Sequence, residues 1–466
     1  MQKTQGSARQ DLGSGSVGKL LFRLAVPAVT AQIVNVLYNM VDRVYIGHIP
    51  DVGALALTGV GVCFPAIMII SGFAALAGMG GAPRASIAMG RGEPDEAEQI
   101  MGNCATLLLG LSILLTGFFL IFGEQMLYIF GASSETIGYA SDYLNIYVLG
   151  TVFVLFSIGL NAFVTAQGFS VISMFTVLIG AVCNIILDPI FIFGLNMGVR
   201  GAALATIISQ AVSCVWVVCF LTGKRSKLRL RKRHFRPRAQ VLLPCVALGL
   251  SPFFMQSSES IISACFNTSL LKYGGDLAVG AMTICSTIMQ FSLLPLLGMT
   301  QGSQPIISYN FGARNPERVR GAFRALLRAC LIYSCCLWAA CMFAPQLLAG
   351  FFTSDEALIA VAIPALRRYM ALSMLLSLLI SCQQTFIALG NAKTSLFLAF
   401  LRKVLLLVPL IYILPNFMED KVAAVFLAQP AADIIAVSTI AILFFFQFRK
   451  AMRELELQAE GDSVPV

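Results

Sequence analysis

The chain has 466 residues, 58% hydrophobic and 12% charged, with a formal net charge of +9. A soluble domain carries about 25% charged residues, so a water-soluble globular protein is excluded. Much of the base lies in one short stretch (Lys224, Arg225, Lys227, Arg229, Arg231, Lys232, Arg233, Arg236 and Arg238), which reads as a basic loop between membrane spans rather than a nucleic-acid site.

In chain order, the first 18 residues are polar and Gly/Ser-rich. A long apolar run follows with no small-residue cleavage site, so no signal peptide is expected. Apolar runs long enough to cross a bilayer, about 20 residues each, fall near 24–46, 53–80, 100–122, 138–162, 171–194 and 201–221. The basic stretch 222–240 comes next and reads as a solvated cytoplasmic connection near anionic lipid. Six more runs follow, near 244–271, 278–301, 323–345, 359–387, 394–415 and 421–447. Backbone groups in lipid must bond within their own segment, and no alternating strand pattern is present, so the spans are helices. The expected fold is an all-α integral membrane protein of twelve transmembrane helices. It comprises a six-helix N-terminal lobe (1–221), a basic linker (222–240) and a six-helix C-terminal lobe (241–466).

The two lobes repeat one another at an offset of 222 residues. Gly80, Pro83, Ser86, Gly90 and Pro94 return as Gly302, Pro305, Ser308, Gly312 and Pro316, and Tyr147 and Gly168 return as Tyr369 and Gly390. Two similar apolar halves are the pattern of a secondary transporter with its site between them. Each half has an even number of spans, so the repeats are parallel. Lys and Arg mark the loops after spans two, six, eight and twelve, and Lys393 follows span ten, whereas 123–136 and 346–358 contain neither. Both termini are therefore expected on the cytoplasmic side of the cell membrane.

Enzyme chemistry finds no support. There is no P-loop, and Gly78-Met79-Gly80-Gly81 lacks the Lys-Ser/Thr that such a loop needs. Two histidines, His48 and His234, are far apart, and the thirteen cysteines show no metal spacing. Buried in apolar runs, they are expected to be free thiols.

Ionisable residues inside spans are functional candidates because lipid makes them costly. Asp42 in span one and Asp188 in span five each lie about six residues, ~9 Å, from the outer end of their span. Thr206 in span six shares that level, and Asn184 sits one turn from Asp188 on the same face. Two carboxylates, an amide and a hydroxyl make an all-oxygen set suited to H⁺ or Na⁺. Asp42 could instead pair with Arg43, and Asp188 could serve the helix break at Pro189. In the second lobe, Glu259 lies mid-span beside Gln256 in a polar run, and Asp433 is a weaker candidate. Met282 and Met289 could contact an apolar substrate, although packing is the commoner use of such residues. Arg367, Arg368, Arg402 and Lys403 read as snorkelling or acid-pairing groups.

The run Gln301-Gly302-Ser303-Gln304-Pro305-Ile306-Ile307-Ser308-Tyr309-Asn310-Phe311-Gly312-Ala313 resembles a signature of the multidrug and toxic compound extrusion (MATE) family, in its DinF/MepA-like branch. So do Asn184–Gly194 followed by Gly201–Thr206, and the fifteen-residue spacing of Pro27 and Asp42. The resemblance covers the whole chain. It implies a cation-coupled antiporter, with no cofactor besides the coupling ion H⁺ or Na⁺, exporting small organic cations or amphipathic drugs and working as a monomer in membrane lipid. It assigns ion coupling to Asp42, Asn184, Asp188 and Thr206, a hinge to Pro27, and the family's span-seven acid to Glu259. Another branch carries an acid in span ten, where this chain has Arg367 and Arg368, which argues against a second-lobe Na⁺ site. A flippase of lipid-linked precursors is the alternative, but it would want several basic residues in first-lobe spans that are nearly free of them.

Overall fold

The computed structural model describes residues 12–352 and 355–461, so the start of the polar N-terminal stretch lies outside it. Among the described residues the chain is helical, with no strand. The first half runs through α1 (Val17–Gly47), α2 (Gly53–Gly90), α3 (Pro94–Ile129), α4 (Ile137–Leu149), α5 (Thr151–Ala166), α6 (Ser170–Pro189) and α7 (Gly198–Thr222). The second runs through α8 (Ala239–Gly312), α9 (Pro316–Phe343), the short α10 (Pro345–Gly350), α11 (Glu356–Tyr369), α12 (Leu376–Ala388), α13 (Ala392–Phe400), α14 (Val408–Ile413) and α15 (Lys421–Gly461).

Among the described residues, nine helical runs are long and apolar enough to cross a bilayer alone. The pairs α4/α5 and α11/α12, bent by 58° and 44°, each make one broken span. The α8 run crosses twice, because Gly275 breaks it at φ 65°, ψ −161°, a conformation that suits only glycine. Twelve crossings result, as the apolar runs suggest. The helices outlast those runs, however. α2 continues to Gly90 and the second limb of α8 to Gly312. These extensions face protein rather than lipid, so they need small residues more than apolar ones.

The repeat is visible in the turns. Pro94 and Pro316 open α3 and α9 at the first helical turn, where a missing N–H costs nothing. The preceding turns use a left-handed residue at matching places, Gly92 at φ 80° and Arg314 at φ 53°.

Two large apolar cores form, with a smaller cluster of Cys382, Phe386, Leu398, Ile440 and Phe444 in the second lobe. One is drawn from residues 46–245, the other from 262–455 together with Leu12, Leu21, Leu24 and Ala25. The base of α1 thus packs on the second lobe, and Cys245, at the start of α8, packs on the first. Glycines let the lobes touch backbone to backbone. A Cβ at Gly90 would lie 2.0 Å from the Tyr309 carbonyl oxygen, and one at Gly312 would lie 2.0 Å from that of Ile87. At Gly80 it would lie 2.1 Å from the Cys245 carbonyl oxygen, and at Gly302 2.6 Å from the Ala25 Cα. All these contacts lie towards the end of the molecule that carries the basic loops.

The basic linker departs from the solvated connection expected. Its nine basic side chains are exposed, but its backbone is bonded to the first lobe. Gln167 Oε1, fully buried, accepts from Ser226 Oγ (2.9 Å) and from the Lys227 and Leu228 amides (2.8 and 2.9 Å). Glu98 Oε1 accepts from the Arg229 amide (3.0 Å), and its other oxygen pairs with Arg231 (2.9 Å). Asn103 Nδ2 donates to the His234 carbonyl (3.1 Å), while Asn103 Oδ1 accepts from the Arg238 amide (2.7 Å). Leu228 enters the first core, with Leu230 and Phe235 packed against it. The linker is a strap, apolar inward and basic outward.

Candidate functional site

Three first-lobe helices converge on the acidic set. Asp42 projects from the upper half of α1, Asn184 and Asp188 from α6, and Thr206 from α7. All but half-buried Thr206 are buried, Asp188 completely. The i, i+4 spacing puts Asn184 and Asp188 on one face, and Asn184 Nδ2 donates to Asp188 Oδ1 (3.1 Å) and reaches Thr206 Oγ1 at 3.5 Å. The carboxyl groups of Asp42 and Asp188 lie close enough to interact electrostatically. The sequence depth argument therefore brings together the residues it named. The alternative Asp42–Arg43 pair does not form; the Arg43 guanidinium lies over the Phe64 ring, 5.5 Å from its centroid.

Pro189, immediately after Asp188, lacks an N–H and cannot continue the α-helical ladder. The chain passes into a π-helical turn, Ile190–Gly194, a widening that commonly accompanies functional groups.

The donor count is short. Asp42 Oδ1, Asp188 Oδ2 and Asn184 Oδ1 are buried and have no hydrogen-bond partner. Thr206 Oγ1 spends its proton on the Ala202 carbonyl (3.0 Å), leaving lone pairs towards the set. Two buried carboxylates without a cation carry a desolvation cost of several kcal/mol each. Protons or a small hard cation would remove it, so the residues present fit either ion.

Three tyrosines complete the surroundings, and the sequence reading missed them. Tyr143 stacks on Tyr147 at 6.0 Å, and Tyr38 stands one turn before Asp42 on α1. Tyr143 sits four residues before Tyr147 and Tyr38 four before Asp42, a helical spacing that could have flagged both.

The second lobe builds a different set from the corresponding helices. Asp433 on α15 is buried and satisfied: Oδ1 accepts from Arg402 Nε (2.9 Å) and Oδ2 from Gln429 Nε2 (3.0 Å). Glu259 pairs with Lys403. Arg402 and Lys403 sit in the π-helical turn Leu401–Leu407 that links α13 to α14. Arg368 pairs with Asp420 at 3.5 Å, and Arg367 donates to the Met342 carbonyl at 3.1 Å. The acid-pairing reading of these bases thus holds for Arg368, Arg402 and Lys403.

Other candidates are scattered. Gln256 is half-buried on α8, whereas Met282 and Met289 are buried in the second core, where they pack rather than face open space. Pro27 lies buried in α1, between Ala25 and Val29; a Cβ at Gly302 would lie 2.6 Å from Ala25 Cα, and one at Gly298 2.5 Å from Val29 Cα. All thirteen cysteines are free thiols.

Comparisons with known proteins point one way. A family model described as MatE matches residues 27–190 and 252–413. The Multidrug export protein MepA of Staphylococcus saprophyticus is 25% identical over 447 residues, covering 95% of this chain and 97% of that one. Its namesake in Staphylococcus haemolyticus is 27% identical over 350 residues, covering 74% and 76%. A crystal structure of MATE in complex with MaL6 superposes with a TM-score of 0.87 at 25% identity, covering 97% of this chain and 99% of that one. An outward-facing multidrug resistance MATE family transporter of the MOP superfamily gives 0.86 at 25% identity over the same shares.

Proposed function

This chain belongs to the MatE family, whose members are multi-pass membrane transporters and not enzymes, and from that membership we propose that it is a cation-coupled antiporter exporting organic, often cationic, drugs. The observation that carries the coupling is the set of three buried, unpartnered oxygens on Asp42, Asn184 and Asp188. The names of the MepA relatives support multidrug export.

The cycle runs as follows. The protein lies in the plasma membrane with both termini and the basic loops in the cytoplasm. With the glycine contacts closing the basic end, drug sits between the lobes on the outer side, near Glu259 and Gln256. H⁺ or Na⁺ reaches Asp42 and Asp188 from outside and neutralises the pair. Removing that repulsion lets the upper half of α1 move towards α6, while its base, held on the second lobe through Gly298 and Gly302, stays in place. Pro27 lies at the base of this movement, and its missing N–H makes it the natural bend. The shift expels drug outward, the lobes rock to open the basic end, and the ion leaves to the cytoplasm. One chain contains both lobes and so the complete pathway. A lipid-precursor flippase would require free basic groups for a pyrophosphate, and Arg402 and Lys403 are engaged by acids.

The test is ethidium efflux from proteoliposomes under a pH gradient alone and under a Na⁺ gradient alone. One gradient should drive efflux in the native protein and fail to do so in Asp42→Asn of unchanged melting temperature. Gradient-driven efflux of native rate by that variant would overturn the assignment.

A further inference from the structure

The offset of 222 maps α1 onto the first limb of α8, α6 onto α13 and its continuation, and α7 onto α15. The same three helices therefore hold the polar set in each lobe, but with opposite logic. In the first lobe they bring acids and no cation. In the second they bring two acids, Glu259 and Asp433, and two bases, Arg402 and Lys403. The second set is also displaced. Glu259 lies five residues before Ala264, the repeat mate of Asp42, which puts it ~7 Å nearer the basic end.

Of the four charged groups only Glu259 is accessible. Its side chain is 53% exposed, against 12% for Lys403, 11% for Arg402 and 4% for Asp433. Below it the face of α8 is closed. Met255 and Ser251, one and two turns down, both accept from Gln383 Nε2 (3.3 Å each), and Ser251 Oγ donates to the Ser395 carbonyl (3.2 Å). Towards the first lobe, a Cβ at Gly72 would lie 3.3 Å from Ser257 Oγ, so inter-lobe packing reaches within two residues of Glu259. The carboxylate thus sits just beyond that packing, with its lysine recessed behind it. The Arg402 Nε is committed to Asp433, so Lys403 is the one base that pairs with Glu259 among the described residues.

We propose that Lys403 is a tethered cation that occupies Glu259 between substrates, and that an organic cation binds by taking the carboxylate from it. This rests on the drug-export reading. The π-helical turn matters here because it turns the neighbouring residues 402 and 403 to two different acids of one bundle. An ammonium on a flexible four-carbon stem yields its partner more readily than a forked guanidinium would. Lys403 therefore sets a threshold: a ligand without a positive charge gains nothing from displacing it.

The test is equilibrium binding of tetraphenylphosphonium to the purified full-length protein in detergent micelles, at fixed pH and salt. Lys403→Met should bind about fivefold more tightly than the native protein, the worth of one accessible ion pair. Lys403→Arg should bind more weakly than Lys403→Met, and Glu259→Gln/Lys403→Met should lose the gain. A melting curve for each variant verifies folding. Native or weaker affinity in folded Lys403→Met overturns the proposal, as does a gain that survives in the double variant. If Lys403→Met does not fold, Lys403→Gln replaces it under the same criteria. Absence of tetraphenylphosphonium binding in the native protein would instead remove the drug-export reading on which the proposal stands.

Discussion

The glycine contacts between the lobes can be tested by adding a single methyl group at each. Gly90 and Gly312 meet helix backbone, which cannot rotate away as a side chain would. A Cβ at either would lie 2.0 Å from a carbonyl oxygen, whereas ordinary contact begins near 3.4 Å. The helices must part by roughly 1.4 Å at each site to accept it. Overpacking of this kind costs about 1–3 kcal/mol per site, so Gly90→Ala/Gly312→Ala should weaken the closed basic end by about 2–6 kcal/mol. Every 1.4 kcal/mol is tenfold, so the population should move at least tenfold towards separated basic ends. Spin labels at exposed positions 93 and 317 would report the separation by double electron–electron resonance. A new, longer distance is expected in the double variant. Gly117→Ala should leave the distribution unchanged, because a Cβ there meets nothing within 4 Å. If the double variant gave the native distribution at the native melting temperature, the backbone contacts could not be what seals that end.

The strap gives two further outcomes. Gln167→Ala removes the acceptor of the Lys227 and Leu228 amides, at about 1–3 kcal/mol for each amide that stays buried, while the Ser226 hydroxyl keeps the Leu228 carbonyl at 2.6 Å. A lower melting temperature and faster hydrogen exchange over 226–230 should follow, with Gln167→Glu, which keeps the acceptor, closer to native. His234 lies among Arg231, Arg233, Asp95 and Glu98, and burial, aided by Arg233 and Arg231 against Glu98 and Asp95, lowers its affinity for a proton below the ordinary value. Docking favours neutral His234, which accepts from Arg233 Nε at 2.8 Å. The undocked strap then binds the proton better, so protection should fall as pH drops below about 6.5. In His234→Gln this pH dependence should be absent by hydrogen-exchange mass spectrometry.

What the sequence made legible is what lipid enforces. Twelve apolar runs had to be helices, and Asp42, Asp188 and Thr206 could be placed at one level, with Asn184 one turn from it, because helical rise converts residue counts into depth. Protein-to-protein packing left a fainter trace. The ends of α2 and α8 carry glycine and serine because they face the other lobe, so hydropathy alone stopped them ten or so residues early. The docked strap read as a solvated loop because its basic side chains dominate the composition, while the acceptors that hold it, Glu98, Asn103 and Gln167, are scattered through the first lobe. Tyr38, Tyr143 and Tyr147 escaped notice because aromatic residues near span ends look alike whether they face lipid or line a site. Met282 and Met289 show the converse: their chemistry suits a drug surface, but their helix face turns to the core.

The Gly90–Tyr309 and Gly312–Ile87 approaches are one contact written twice, since 87 and 309, and 90 and 312, are each 222 apart. Residue i meeting j while j's image meets i's image is the arithmetic of a two-fold isologous interface. In this respect the molecule is a homodimer of six-helix units fused by its strap. The duplication that produced it had to join two copies already inserted in the same direction, because the contact closes only between parallel subunits. It also constrains later change: a substitution tolerated in one copy of the contact meets a partner still shaped for the other. The lobes were therefore free to diverge in their polar sets, acidic in one and charge-balanced in the other, while the glycines between them were not.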